Sequence, residues 1–153
     1  MRLRGREGNE LELSVVGYQV PDETVDPWES NSLLVALRVV SPKGRWEVVD
    51  PCLTTWETAR LGAWLAAVAA APTVGTRSLA EPNLSVAVSP AGGRLSLRIC
   101  FELENRPPWA PTVSGGRDLC VDLDVSRADL LAAAASLRAD ARRFPRRGDD
   151  PTL

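Results

Sequence analysis

The sequence predicts an α+β protein with a largely antiparallel, strongly bent or sandwich-like sheet of about seven to eight strands and two helices packed on it. Three observations support this fold class. Several segments alternate apolar and polar residues, and short Pro/Gly turns join some of them. Two other segments have helical periodicity and begin with helix-capping patterns. The length of 153 residues suits one domain, which we place at residues 1–145, followed by a flexible polar tail at residues 146–153.

The clearest strand lies in residues 94–109, RLSLRICFELENRPPW. Apolar side chains occupy every second position there, at Leu95, Leu97, Ile99, Phe101 and Leu103. The intervening residues are mostly polar, so the strand has one apolar and one polar face. Residues 118–125 alternate in the same way, and we expect them on a neighbouring antiparallel strand. Their outward acids would then lie opposite arginines of the first strand, pairing Asp118, Asp122 and Asp124 with Arg94 and Arg98.

The remaining strands are predicted at residues 1–4, 11–18, 32–40, 45–49, 76–80 and 84–88. The stretch 32–40 is apolar on both faces and suits a central strand. Residues 19–31, QVPDETVDPWESN, hold two prolines and four acids, which predict a loop without regular structure.

Two capping patterns mark the helices. Thr54 and Glu57 form a capping box, and the helix that follows extends to about residue 71, where Pro72 ends it. Ser126 is the expected N-cap of the second helix, with Asp129 three residues later, and Pro145 closes that helix.

Composition favours a soluble protein and disfavours several functions. The net charge of −2 and the lack of a basic stripe do not favour nucleic-acid binding. The absence of His removes the commonest general base and metal ligand, so no catalytic, cofactor or metal site is assigned. The N-terminal residues do not form a signal peptide, and no apolar stretch is long enough to span a membrane, so we expect a cytoplasmic protein.

The cysteines are Cys52, Cys100 and Cys120. Their odd number and the absence of a C-x-x-C pattern indicate neither a disulfide framework nor a zinc site. We expect three reduced thiols, although Cys100 and Cys120 fall on strands predicted to be neighbours.

One loop is the main candidate for partner binding. Trp28 lies among the acids Asp22, Glu23, Asp26 and Glu29, a combination suited to a basic protein surface. The alternative is a solvated loop whose Trp28 packs into the core.

Trp109 is the second candidate. Two preceding prolines stiffen the backbone and present its ring in a set direction, either as a binding platform or as a lid on the core.

Three other groups have weaker functional interpretations. Asp50 and Thr54 suit an anion site or a strand-to-helix corner. An acidic cleft of a hydrolase is the least favoured, and would use Asp50, Glu81, Asn83, Glu102 and Glu104. A basic end would contact phosphate or an acidic partner, or would only complement the helix dipole, through Arg138, Arg142, Arg143, Arg146 and Arg147.

Several stretches together resemble the WapI family of bacterial immunity proteins. They are ELELSVVGY (10–18), DPCLTTWETARLGAW (50–64), EPNL (81–84), FELENRPPW (101–109) and SRADLLAAAASLRADARRFPR (126–146). The resemblance covers most of the chain in the same order and rests on mostly structural motifs. It implies a small cytosolic protein that protects a cell from a contact-delivered toxin, which for the type member is a nuclease acting on tRNA.

The sequence therefore predicts a non-enzymatic binding protein that masks a toxin domain, as a monomer or small homo-oligomer. An acidic surface would suit a nuclease, whose active site is built to hold phosphate. The alternative is a small-ligand-binding or accessory domain with a cleft lined by Trp56, Trp64 or Trp109.

Overall fold

A computed structural model describes residues 1–5, 7–71, 74–79, 83–110 and 119–152. These residues form eight strands in two four-stranded antiparallel sheets, each ordered as in the chain. The first sheet contains β1 (Arg2–Arg4), β2 (Glu10–Tyr18), β3 (Ser32–Ser41) and β4 (Gly44–Thr54). The second contains β5 (Gly75–Ser78), β6 (Leu84–Ala91), β7 (Arg94–Phe101) and β8 (Leu119–Val125). The α+β class is confirmed, and the prediction of a single sheet is corrected to two.

The helices of the described residues are α1 (Pro27–Asn31), α2 (Thr55–Ala70) and α3 (Arg127–Arg143). The predicted capping box at Thr54/Glu57 and the predicted N-cap at Ser126 are confirmed, and Ser126 also forms a capping box with Asp129. The two long helices pack closely against each other at Gly62. A Cβ at that position would lie 3.2 Å from Cβ of Leu137, so the absence of a side chain permits this approach.

The core lies between the inward faces of the two sheets and the apolar faces of α2 and α3. The two sheets meet where the Trp46 ring contacts Phe101 edge-on, with ring centroids 5.2 Å apart. Trp46 Nε1 also donates to the backbone oxygen of Asn105 at 3.1 Å, which satisfies its buried N–H. The inward residues of β1–β4 and β6–β8 thus supply one contiguous apolar interior.

The predicted pairing of acids and arginines across β7 and β8 is confirmed for the described residues. Arg98 Nε and Nη2 donate to the two carboxylate oxygens of Asp122 at 2.8 and 2.9 Å. Arg94 donates to Asp124. This bidentate pairing lowers the pKa of the Asp122 carboxyl. Asp118 lies outside the described residues.

Two predictions of local structure are wrong. Residues 27–31 form α1 within the segment expected to be irregular, because Asp26 caps the helix and Pro27 stands at its first position, where no N–H is needed. The long strand ends at Phe101, and Leu103 faces solvent in a 3-10 turn (Leu103–Asn105) with φ of 47°.

The prediction of three reduced thiols is wrong for two of them. Cys100 and Cys120 are direct partners in the β7–β8 register and form a disulfide. Antiparallel pairing places their Cα atoms side by side, which brings the two sulfur atoms within bonding reach. Cys52 is free and buried.

Candidate partner-binding site

The candidate site begins with α1, which holds Trp28 at the surface. Asp26 Oδ1 accepts from the backbone N of Trp28 at 2.8 Å and starts the helix. The Trp28 ring packs edge-on against Trp56, with ring centroids 5.1 Å apart and an interplanar angle of 79°. Trp28 nevertheless keeps 40% of its surface exposed. The ring is therefore held in place by Trp56 and remains available to a partner.

Four acids flank Trp28 in the sequence, and all four are exposed. Asp22 and Glu23 precede α1, and Glu29 lies in its first turn. Asp26 is also exposed, although its carboxylate already serves as the N-cap. The loop thus offers three carboxylates that have no capping role within eight residues of chain, together with one aromatic ring.

Trp109 lies at the opposite end of β4 from Trp28. Its ring contacts Trp46 edge-on at a centroid distance of 5.7 Å and lies over Gly44 at the start of the strand. Trp28 contacts Trp56, just beyond the end of the same strand. Ten residues of extended chain separate these ends by about 30 Å. Trp109, 46% exposed, is therefore both part of the core lid and a second accessible aromatic surface.

The segment that follows α3 contacts residues 19–31, which we call the acidic loop and which include α1. Asn31, at the end of α1, is fully buried and hydrogen-bonds to the backbone of Arg147. The Arg147 guanidinium contacts Tyr18 and two loop carbonyls. The sequence gives no sign of the roles of Asn31 and Tyr18, because 116 residues separate Asn31 from Arg147 and no local pattern links them.

The other basic residues do not act as a group. Arg143 lies over the Phe144 ring at 5.0 Å, and Arg147 is directed into the acidic loop. Arg138, Arg142 and Arg146 remain on the surface near the end of α3. The five arginines predicted to form a basic end are thus split: Arg147 contacts the acidic loop, and the others lie near the end of α3.

The strand-to-helix corner at Asp50 contains a partly buried polar contact. Asn83 Nδ2 donates to Asp50 Oδ2 at 2.6 Å, which brings the two sheets together. Thr54 uses its hydroxyl in the capping box of α2, which favours the structural interpretation of this corner. Glu81 of the proposed acidic cleft lies outside the described residues.

Cys52, two residues after Asp50, is a buried thiol. Burial raises the pKa of the Cys52 thiol to about 12, which keeps it neutral and poorly nucleophilic. Among the described residues, no three His, Cys, Asp or Glu side chains gather in a way that would hold a metal ion.

A groove runs along α2 beside β5. Its volume is about 500 Å³, and its lining includes Trp64, Arg60 and Arg77. The Arg77 guanidinium lies 5.9 Å from the Trp64 ring centroid. Arg60 is bound by Asp150 at 2.7 Å, so one of the two guanidinium groups is already paired.

The sequence model of the WapI-like immunity protein family matches residues 2–145. The chain belongs to the WapI-like immunity protein family. The match spans both sheets, α2, α3 and the acidic loop, so the family assignment covers the described fold as a whole. No curated protein matches the chain. Within the described residues, no helix has the length and apolar character required to cross a bilayer.

Proposed function

We propose that this member of the family is a cytoplasmic, non-enzymatic immunity protein that neutralises a contact-delivered toxin by binding and masking it. Membership of the WapI-like immunity family is the observation that carries this proposal. The partner-binding residues are Trp28 as the aromatic anchor and Asp22, Glu23, Asp26 and Glu29 around it. Trp109 would join only an interface large enough to reach the other end of β4.

The chemistry of the Trp28 surface favours a basic partner. A fixed, half-exposed indole provides a large contact area with little loss of side-chain entropy, and such residues dominate interface energetics. Exposed carboxylates steer a positively charged partner and raise its association rate. A nuclease has a positively charged active site because it binds phosphate, so a nuclease toxin fits this surface. The proposal includes no nucleic acid, membrane or cofactor as a partner, and a monomer or small homo-oligomer as the binding unit.

The test is protection and binding against the C-terminal domain of a secreted protein encoded directly upstream of the gene. Co-expression should restore growth of cells that carry that domain, and titration should give a defined stoichiometry. Trp28→Ala should weaken binding by about 2 kcal/mol, roughly 30-fold, as for a central aromatic anchor. The paired change Asp22→Asn/Glu23→Gln should slow association, most strongly at low salt.

Two other exposed acids provide a matched control, one at the opposite end of the first sheet from α1 and one near Trp109. Glu7→Gln/Glu104→Gln removes the same charge from two exposed acids far from α1 and should leave association unchanged. If no toxin domain binds, or if both acid pairs change the rate equally, masking through the Trp28 surface is refuted.

Small-ligand binding is the second candidate function, and the groove along α2 favours it. An apolar floor with Trp64 and a guanidinium at its edge suits a ligand with an aromatic ring and an anionic group. Titration with 8-anilinonaphthalene-1-sulfonate, an apolar anion, should give saturable binding that Arg77→Gln weakens. Unsaturable binding, or binding that Arg77→Gln does not alter, would exclude this candidate.

A further inference from the structure

Arg147 contacts the acidic loop through both terminal nitrogens of its guanidinium group. Nη1 donates to the backbone oxygen of Val20 at 2.9 Å, and Nη2 donates to that of Pro21 at 2.7 Å. The guanidinium carbon lies 3.5 Å from the centroid of the Tyr18 ring, within cation–π range. The two acceptor carbonyls immediately precede Asp22 and Glu23. The planar fork of Arg147 therefore sets the path by which the chain enters the acidic loop.

The backbone of Arg147 is held in turn by Asn31. Asn31 Nδ2 donates to the backbone oxygens of Pro27 at 2.8 Å and Arg147 at 2.6 Å. Its Oδ1 accepts from the hydroxyl of Thr55 at 2.7 Å and from the backbone N of Arg147 at 2.9 Å. Every hydrogen-bonding position of this fully buried amide is thus used. One side chain joins α1, the start of α2 and the segment that follows α3.

The interior of the loop has few other restraints in the described residues. The backbone N of Gln19 donates to the oxygen of Ser32 at 2.8 Å, and that of Thr24 donates to the hydroxyl of Ser30 at 2.6 Å. Between these two bonds, the path of residues 20–23 depends on Arg147. Both hydrogen bonds have a charged donor, and charge-assisted hydrogen bonds are stronger than neutral ones.

We propose that Arg147 is a positioning residue, which together with Asn31 holds the acidic loop and α1 in the conformation that meets a basic protein partner. This inference rests on the proposed function for its partner, whereas the ordering of the loop requires no partner. A loop that is ordered before binding avoids the entropy cost of ordering it in the complex. Arg147 and Asn31 therefore raise the affinity without contacting the partner themselves.

Hydrogen exchange of the intact protein tests the ordering directly. In Arg147→Ala, the amides of Gln19 and Thr24 should exchange about tenfold faster, because the chain between them loses both carbonyl anchors. Amides of β3 should be unaffected, which separates loosening of the loop from global destabilisation. The matched control is Arg146→Ala, which removes the same charge from the neighbouring exposed residue and should leave both loop amides within twofold of the wild type.

Arg147→Lys separates geometry from charge. Lysine keeps the positive charge but cannot present a planar fork to two carbonyls and a ring at once, so exchange at Thr24 should lie between wild type and Arg147→Ala. Full restoration by lysine would mean that charge alone attracts the acids and would overturn the proposal. So would unchanged exchange in Arg147→Ala.

The binding arm uses the toxin domain named above. Arg147→Ala should weaken its affinity about tenfold, and Arg146→Ala should not. Unchanged affinity in Arg147→Ala would also overturn the proposal. If the wild-type protein binds no toxin domain, the proposed function fails, and the exchange measurements still decide whether Arg147 orders the loop.

Discussion

Reduction of the disulfide between Cys100 and Cys120 should lower the free energy of unfolding. The bond joins β7 to β8 across a sequence separation of 20 residues. Closing a loop of this length removes conformational freedom from the unfolded chain, worth about 3 kcal/mol. For a chain of this size, a loss of about 3 kcal/mol corresponds to a fall in melting temperature of about 6–12 °C.

The assay is equilibrium urea denaturation with and without dithiothreitol, accompanied by a thiol count under denaturing conditions. The oxidised protein should titrate one thiol, from Cys52, and the reduced protein three. The double variant Cys100→Ala/Cys120→Ala is the control, because its stability should not respond to the reductant. Three thiols in the oxidised sample, or a stability difference below about 0.5 kcal/mol, would refute the reasoning.

The redox state of Cys100 and Cys120 depends on the compartment in which the protein functions. Disulfides are uncommon in the reducing cytosol. A cytoplasmic immunity protein would therefore function with Cys100 and Cys120 reduced, as two thiols on neighbouring strands. The strand pairing itself does not depend on the bond, since seven register pairs join β7 and β8 and Arg98 binds Asp122 across them. We therefore expect the reduced protein to stay folded with a smaller margin of stability.

Three further predictions concern the scaffold. Gly44→Ala should cost about 1–3 kcal/mol in urea denaturation and alter tryptophan fluorescence, because Gly44 has a φ of 138° and a Cβ there would lie 2.8 Å from the Trp109 ring. Ser126→Ala should cost about 1 kcal/mol at neutral pH through loss of the N-cap. The Ser126 hydroxyl and backbone amide lower the pKa of the Asp129 carboxyl. The stabilisation from this contact is therefore present above the ordinary carboxyl pKa and is lost as the pH falls through the lower pKa of the folded state. The difference in the free energy of unfolding between wild type and Ser126→Ala should narrow below about pH 4. Cys52 should resist iodoacetamide at pH 8 in the native protein and react in urea, as followed by mass spectrometry, because burial keeps it a thiol.

The predictable part of the fold was set by short-range patterns. The capping boxes at Thr54 and Ser126 involve partners three residues away, so sequence spacing alone determines them. The Arg98–Asp122 pair followed from alternation on two strands, because antiparallel pairing of two polar faces brings opposite charges together.

The unpredicted features depend on long-range arrangement or on the position of a residue within an element. Proline inside a helix removes a hydrogen bond, yet Pro27 stands at the first helical position, where no hydrogen bond is lost. Leu103 continues the alternation of β7 in sequence, but the chain turns after Phe101 and exposes it. The division into two sheets also leaves no local mark, because each strand has the same alternation in either arrangement.

Local charge matters more than net charge for the Trp28 surface. A net charge of −2 suggests a weak field, but four acids lie together in the acidic loop. Arg147 binds backbone carbonyls and Tyr18 and keeps its positive charge beside these acids, whereas Arg60 is paired with Asp150. The guanidinium of Arg147 thus offsets one of the four carboxylate charges, and the loop keeps an excess of negative charge. A partner that approaches within a Debye length, about 8 Å at physiological salt, senses this local group of acids and not the sum over the chain. A nearly neutral protein can therefore still present an acidic face to a basic toxin.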